Sequence, residues 1–595
     1  MAGQKTKRFV KTYYFIKNND GSTRFVWPVE SDKPIFLKFY NSSNWKEMLF
    51  RLVVTVVYTF KLQRFFFNRT KMVLPESITT ETNWALYLGT PGSENKKTLY
   101  TISSSSKEGK FSKISFQEST NKKIAKEIEY LTYLNIQKEK LSFEFPQIIS
   151  DKDQNILETN ESPFSRGCSN WTFRHSQAIK DLSRINSSED SIKNWNQWPI
   201  INSKIKNLKN APYSDKLPRN LGKKLSLLKK EINEEDTYQF SLAHGDFTIA
   251  NTFISKGDKL GIIDWELTLP SAPKGMDFFN FIVQKGILEE KLSVRYIIYE
   301  IFEIAQEENL FESEAEILKY LKLYLLFHIT HYTDKYANQQ YWPKVMSRQI
   351  DAWEELLNEI TTSWSKRKLF ITDLFEFLSD KKYAALKLEN SDSPKISEFS
   401  DIDLLIKKSD LKAIKKWINE RSVVFRVHAR TQSCFTALNL TFFDATELNL
   451  ELICELKQKS TVFQDINHYI RSAQINENGI KQCNPRHTAQ YIGLSCSLNN
   501  RVIPKKFEEK VNNLLPLRSD LDELVYHFYK NDENSRENLV RFVQKANQNK
   551  GTSAFTNKIR YYLDASKELF RQKEIVANYH GNEGSLSYNS DNKFW

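Results

Sequence analysis

A chain of 595 residues that is 40% apolar and 13% aromatic holds too much core-forming material to be largely disordered, and it exceeds what one hydrophobic core usually supports. Its net charge of +13 is uneven: residues 1–75 carry 14 Lys and Arg against 4 acids, a local +10 that leaves +3 for the other 520 residues. Charge confined to one segment, and not spread along a groove, disfavours nucleic acid as a partner.

The five cysteines lie far apart with no CxxC pair, which argues against a disulfide framework or a cysteine zinc site and fits a reduced, cytoplasmic protein. No apolar run reaches the roughly 18 residues of a membrane span, and residues 1–10 lack the apolar stretch of a secretory leader. Residues 1–80 are expected to form a basic, aromatic N-terminal segment. Within it, residues 8–40 alternate aromatic runs with turns and predict a hairpin bending at Asp20-Gly21. Residues 45–67 are strongly apolar but broken by Arg51, Lys61 and Arg64. Such a basic amphipathic pattern suits peripheral contact with the inner surface of a membrane; packing against the next domain is the alternative.

Residues 81–160 read as a small sheet followed by a helix. WALYLGTPGSENKKTLYTI and GKFSKISF supply strands, and Ile124, Ile128, Leu131 and Leu134 recur at helical spacing. A mostly helical stretch, 161–365, is interrupted by a compact loop and hairpin at 241–266. After the charged break Lys366-Arg367-Lys368, a second strand-and-helix unit is expected over 369–485, helices over 486–575 and a loose tail over 576–595.

The most informative stretch is His244-Gly-Asp246-Phe-Thr-Ile-Ala-Asn251, followed by Ile263-Asp264-Trp-Glu266. Asp246 and Asn251 are five apart in a glycine-containing loop, so both can face one cleft. Strands at 252–255 and 259–263, with a turn at 256–258, would bring Asp264 beside Asn251. One carboxylate to orient a hydroxyl and two oxygen ligands for Mg²⁺ are what phosphoryl transfer from ATP asks of a protein.

The pattern HGDxxxxN followed by IDWE resembles the aminoglycoside and choline/ethanolamine phosphotransferase family. The resemblance covers about 82–363 and implies a two-lobed protein-kinase-like fold, with a small β-rich N-lobe and a helical C-lobe. It implies Asp246 as the catalytic base, Asn251 and Asp264 as Mg²⁺ ligands, and Asp277 as a structural aspartate bracing the loop that holds His244. The sequence departs from the family at Thr248-Ile249-Ala250, on the acceptor side. A kinase of this fold also needs a phosphate-gripping lysine held by a helix glutamate. Lys113, mid-strand, and Glu127, bordering the apolar helix face, are the expected pair, and Gly89 and Gly92 mark the expected phosphate-covering loop.

A second set of acids lies at Asp401 and Asp403, two residues apart on one strand face, with Glu451 on a neighbouring strand. The set resembles the nucleotidyltransferase fold over about 369–485, which implies a two-metal site. No glycine occurs between 286 and 479, so the family's Gly-Ser turn is missing or rebuilt. The expected fold class is therefore α+β multidomain: a kinase-like pair of lobes, a mixed α/β nucleotidyltransferase-like domain, and C-terminal helices. The expected function is ATP- and Mg²⁺-dependent phosphorylation of a small-molecule hydroxyl, on a sugar, lipid headgroup or related metabolite for cell-surface synthesis. An aminoglycoside-modifying enzyme, or a non-catalytic scaffold built from decayed enzyme folds, is the alternative.

Overall fold

The computed structural model describes residues 10–18, 21–39, 45–73, 83–89, 96–102, 109–115, 117–153, 156–161, 164–255, 257–388, 395–458, 461–498, 503–514 and 573–578. The chain is mixed α+β. It divides into two compact units, each assembled from separate stretches: Met1–Asn202 with Ile232–Lys291 and Ile297–His328, and Ser203–Glu231 with Leu292–Tyr296 and Ile329–Trp595.

In the first unit, eight strands form one sheet. Their spatial order is Asn68–Val73, Val10–Lys17, Thr23–Pro28, Trp84–Tyr87, Lys97–Ile102, Gly109–Ile114, Ile156–Asn160 and Ile148–Asp153. This corrects the expected break at residue 80. The N-terminal hairpin is a continuation of the sheet, with Phe25 paired to Tyr87 and Val26 to Leu86. The physical reason is that a lone two-stranded hairpin is marginal in water, while this one carries large apolar groups for both faces. Tyr14, Phe25 and Trp27 enter one core with Phe36, Val54 and Tyr58, whereas Tyr13 and Val26 enter another with Trp84, Leu86 and Leu99. Trp27 Nε1 donates to the Tyr58 hydroxyl at 2.6 Å, fastening helix Trp45–Thr59 to the sheet.

Gly109–Ile114 leads into helix Glu118–Ile136, which buries Ile124, Glu127, Leu131 and Leu134. Strand Thr237–Ala243 pairs with Ser188–Ser191 on one side and Leu269–Pro273 on the other. Between the last two, the chain makes the loop at 244–251 and the hairpin Thr252–Ser255/Leu260–Ile262. Helix Met276–Gln284, buried from Met276 to Val283, closes the unit beneath that loop.

The second unit is built on another eight-stranded sheet. Its order is Gln474–Ile475, Lys481–Gln482, Tyr383–Leu386, Ile402–Ile406, Glu447–Ile453, Phe435–Phe442, Val424–Thr431 and Lys573–Asn578. Ile414 and Ile418 of helix Leu411–Asn419 and Phe370, Ile371 and Leu374 of helix Lys366–Phe377 cover it.

Three further expectations need correction here. The charged triplet at 366–368 is no break: Ser365 caps a helix that starts there, and buried Arg367 donates to Ser400 O at 2.6 Å. Helices Leu221–Lys230 and Lys344–Ile360, expected within the preceding 161–365 stretch, belong to this unit through a buried ion cluster described below. The expected boundary at 575 also falls inside a strand, because Lys573–Asn578 pairs with the edge of Val424–Thr431. Of the helical region expected over 486–575, the described residues give Pro485–Leu498 and Lys505–Leu514. No helix among the described residues is long and apolar enough to cross a membrane.

Candidate active site

The loop after strand Thr237–Ala243 is held from below. Asp277 Oδ2 accepts from His244 N at 2.6 Å and Oδ1 accepts from Gly245 N at 2.9 Å. Gly245 has φ +81°, and a Cβ there would sit 2.2 Å from Leu267 O, so only glycine fits. His244 is fully buried; its Nδ1 accepts from Asp246 N at 3.2 Å while its Nε2 donates to Ile263 O at 2.9 Å. That arrangement requires the neutral imidazole. Burial enforces it, lowering the His244 pKa to about 4. Burial likewise pushes Asp277 up to about 6, against the pull of its two N–H donors.

Asp246 leaves this braced loop half-buried, and its Oδ2 accepts from Asn251 Nδ2 at 2.9 Å. Burial, and then the negative charge of Asp264, raise its pKa to about 7. The hairpin brings the third residue of the set into place: Ile263 N donates to Asn251 O at 3.0 Å, one residue before Asp264. Asp264 itself has φ +71°, a left-handed conformation uncommon outside glycine. Held strain of this kind clusters at functional positions.

Asp264 is where the sheet, the helix and the hairpin meet. Its Oδ1 accepts from Lys113 Nζ at 2.6 Å, and the same ammonium reaches Glu127 Oε2 at 2.7 Å. Thus strand Gly109–Ile114, helix Glu118–Ile136 and the return strand are joined through one lysine. A second cation, Lys96, bonds Asp264 Oδ1 and Glu266 Oε2, each at 2.5 Å. Burial alone would raise the Asp264 pKa, but the Lys113 and Lys96 ammoniums outweigh it and hold the carboxyl far below its ordinary range. Burial disfavours the Lys96 ammonium, yet Asp264, Glu127 and Glu266 together keep it charged.

Among the described residues, Glu127, Asp264 and Glu266 are the group of three acids whose oxygens lie within 4.8 Å of one another. An all-oxygen donor set of this kind fits a hard cation such as Mg²⁺. Asn251 offers its amide oxygen, its nitrogen being turned to Asp246. Lys96 and Lys113 both donate to Asp264 Oδ1. Gly89, φ +69°, accepts from Asn18 Nδ2 through its carbonyl at 3.0 Å; Gly92 lies outside the described residues.

The second acid set is arranged differently. Asp403 and Glu451 are direct partners across parallel strands, and Lys387 Nζ lies 2.5 Å from Asp403 Oδ2. Exposed Asp401 instead accepts from Asn449 Nδ2 at 3.1 Å. Burial, then the Asp403 charge, raises the Glu451 pKa. The three acids are not gathered within 4.8 Å as the first group is. Sequence reasoning missed Lys96, Glu266 and Lys387. Lys96 stands directly before strand Lys97–Ile102, next to the glycine-bearing loop, and that position was the available signal.

No protein-family model matches the chain, and no curated protein sequence matches it. About half of the chain is similar to solved structures of small-molecule phosphotransferases. An aminoglycoside phosphotransferase in complex with streptomycin and ATP is 13% identical, over 45% of this chain and 90% of that one, with a TM-score of 0.31. A choline kinase from Streptococcus pneumoniae is 12% identical over 46% and 93%, with a TM-score of 0.33. A Plasmodium vivax ethanolamine kinase is 14% identical over 55% and 94%, with a TM-score of 0.31.

Proposed function

We propose that the first unit transfers a phosphoryl group from ATP to a hydroxyl of a small molecule, with Mg²⁺ as cofactor. The observation that carries this is the chain of contacts Glu127–Lys113–Asp264, set beside a half-buried Asp246. Lys113, held by Glu127, would grip phosphate oxygens. Asp264 and Asn251 would hold the metal, with Glu266 as a further acid nearby; the chemistry the metal supplies is neutralisation of charge on the phosphate oxygens.

Asp246 orients the acceptor hydroxyl and takes its proton as the oxygen–phosphorus bond forms and the bond to the departing ADP breaks. Asp277 and His244 keep that carboxylate in place without touching substrate. A carboxylate tuned to about 7 is suited to accepting a proton near neutrality.

For the acceptor, a sugar or lipid headgroup destined for the cell surface is the reading, supported by a basic, apolar N-terminal helix in the same unit. Polycationic aminoglycosides are the alternative and favour an acidic cleft. The test is Mg·ATP consumption with purified protein against sugars, choline, ethanolamine and aminoglycosides. Turnover that needs Asp246 and one of the first three classes supports the proposal. Turnover of aminoglycosides alone replaces the acceptor, and no nucleotide binding at all removes the kinase reading.

The second unit carries a separate proposal. Asp403 and Glu451, facing each other on adjacent strands, would serve nucleotidyl transfer, with Asp401 at the strand's entrance. Labelled nucleoside triphosphates offered with sugar phosphates give an Asp403-dependent product on this reading; its absence leaves the set as an internal ion pair.

A further inference from the structure

Helix Trp45–Thr59 buries one side and exposes an equally apolar other side. Val54, Val57 and Tyr58 are 2–6% exposed, and Val54 and Tyr58 lie in the core with Trp27. Leu49, Leu52, Val56 and Phe60 follow helical spacing on the outer side, with exposures of 50%, 61%, 46% and 67%. The short helix Gln63–Phe66 extends this patch with Phe65 at 69% and Phe66 at 59%. Side chains of this size are left to water in such number only where something covers them.

The same segment is basic. Residues 45–73 contain six Lys and Arg against the single acid Glu47. Arg51, Lys61, Arg64, Arg69 and Lys71 are all exposed, and the Arg64 guanidinium lies 4.6 Å from the centre of the Phe65 ring. A second copy of this chain seated on the patch would bring like charges together. A bilayer with anionic headgroups supplies both complements at once: acyl chains for the leucines and phenyl rings, phosphates for the cations. The helix, at 15 residues, is too short to span.

We propose that the outer face of Trp45–Thr59 together with Gln63–Phe66 is a docking surface for an anionic lipid bilayer, lying in its interfacial plane. This rests on the patch and its charge and is independent of the phosphotransferase reading. The surface fixes the first unit to the membrane through side chains that the fold does not need.

The test uses the full chain in flotation with vesicles of phosphatidylcholine alone and of phosphatidylcholine mixed with phosphatidylglycerol. The expected result is binding to the mixed vesicles that is about tenfold weaker on neutral ones and falls as salt is added. The variant L52E/F65E/F66E changes exposed positions only and should keep its melting temperature while losing the binding. The second variant, K61E/R64E, keeps every apolar group and should bind mixed vesicles no better than neutral ones. Equal binding by the triple variant overturns the proposal, as does failure of the unmodified protein to float with mixed vesicles. A concentration-dependent dimer that the triple variant abolishes, without vesicle binding, assigns the patch to a second copy and overturns it too.

Discussion

Lys113 in the first unit and Lys224 in the second each sit among carboxylates, and the two clusters differ in what surrounds the charges. In the second unit, Lys224 Nζ lies 2.6 Å from Asp373 Oδ1 and 3.3 Å from Glu354 Oε1, and Asn358 Nδ2 donates to Asp373 Oδ2 at 2.6 Å. Three helices supply these groups, the Lys224 side chain is 2% exposed, and none of the backbone there is left-handed. In the first unit, Lys96 and Lys113 are 17% exposed and Asp264 is 27% exposed. Here the acids come from a buried helix position, Glu127, and from the turn after the return strand, where Asp264 is strained, next to a carboxylate tuned to about 7. The comparison teaches that a lysine–carboxylate pair alone does not mark a site. Partial exposure, held strain and a neighbouring carboxylate of raised pKa are what set the first cluster apart.

The comparison can be broken most sharply at Asp246. Asp246→Asn should lower phosphoryl transfer about a thousandfold while leaving nucleotide affinity within a few-fold; activity that survives would make the loop a structural one. Lys224→Met should cost the second unit about 3 kcal/mol, since it strands two buried acids, read as a lower denaturation midpoint with nucleotide binding unchanged. Adding Glu354→Gln and Asp373→Asn should restore much of that stability. If Lys224→Met weakened nucleotide binding instead, the two clusters would not be distinct in kind.

A smaller effect is expected at Lys96. Its ammonium occupies Asp264 and Glu266, so Lys96→Met should let Mg²⁺ alone protect the protein against melting at about tenfold lower concentration, the equivalent of ~1.4 kcal/mol. The smallest effect is one of pH. Burial raises the Glu354 pKa to about 7 in the folded state, above the ordinary carboxyl value it has when unfolded. Over that interval the folded state binds more protons, so this group's contribution makes stability rise as pH falls from 8 toward 6. Denaturation midpoints of Glu354→Gln should lack that share of the slope, about 1 kcal/mol or less.

The hairpin within 244–266 was legible because the turn between its strands could be counted from the sequence, and Thr252 pairs with Ile262 across it. Glu127 could be told from Glu129 by helical periodicity, and the structure buries the first and exposes the second. Lys96 was not legible: its partners Asp264 and Glu266 lie 168 and 170 residues away, and no local pattern links them. The same holds for the N-terminal hairpin. Its sequence predicts two strands but cannot say that Phe25 pairs with Tyr87 across an intervening helix. At 366–368, three charges in a row look like a solvated break, whereas Arg367 is buried on a carbonyl of residue 400, a contact visible only in the fold.

The measurement that bears most directly on the central claim is Mg·ATP affinity, by calorimetry, for the unaltered chain, Asp264→Ala and Asp246→Asn. The account predicts that Asp264→Ala weakens binding at least about tenfold, that the loss disappears when magnesium is withheld from both proteins, and that Asp246→Asn binds nearly as well as the unaltered chain. Equal affinities in all three, or binding indifferent to magnesium throughout, would contradict it.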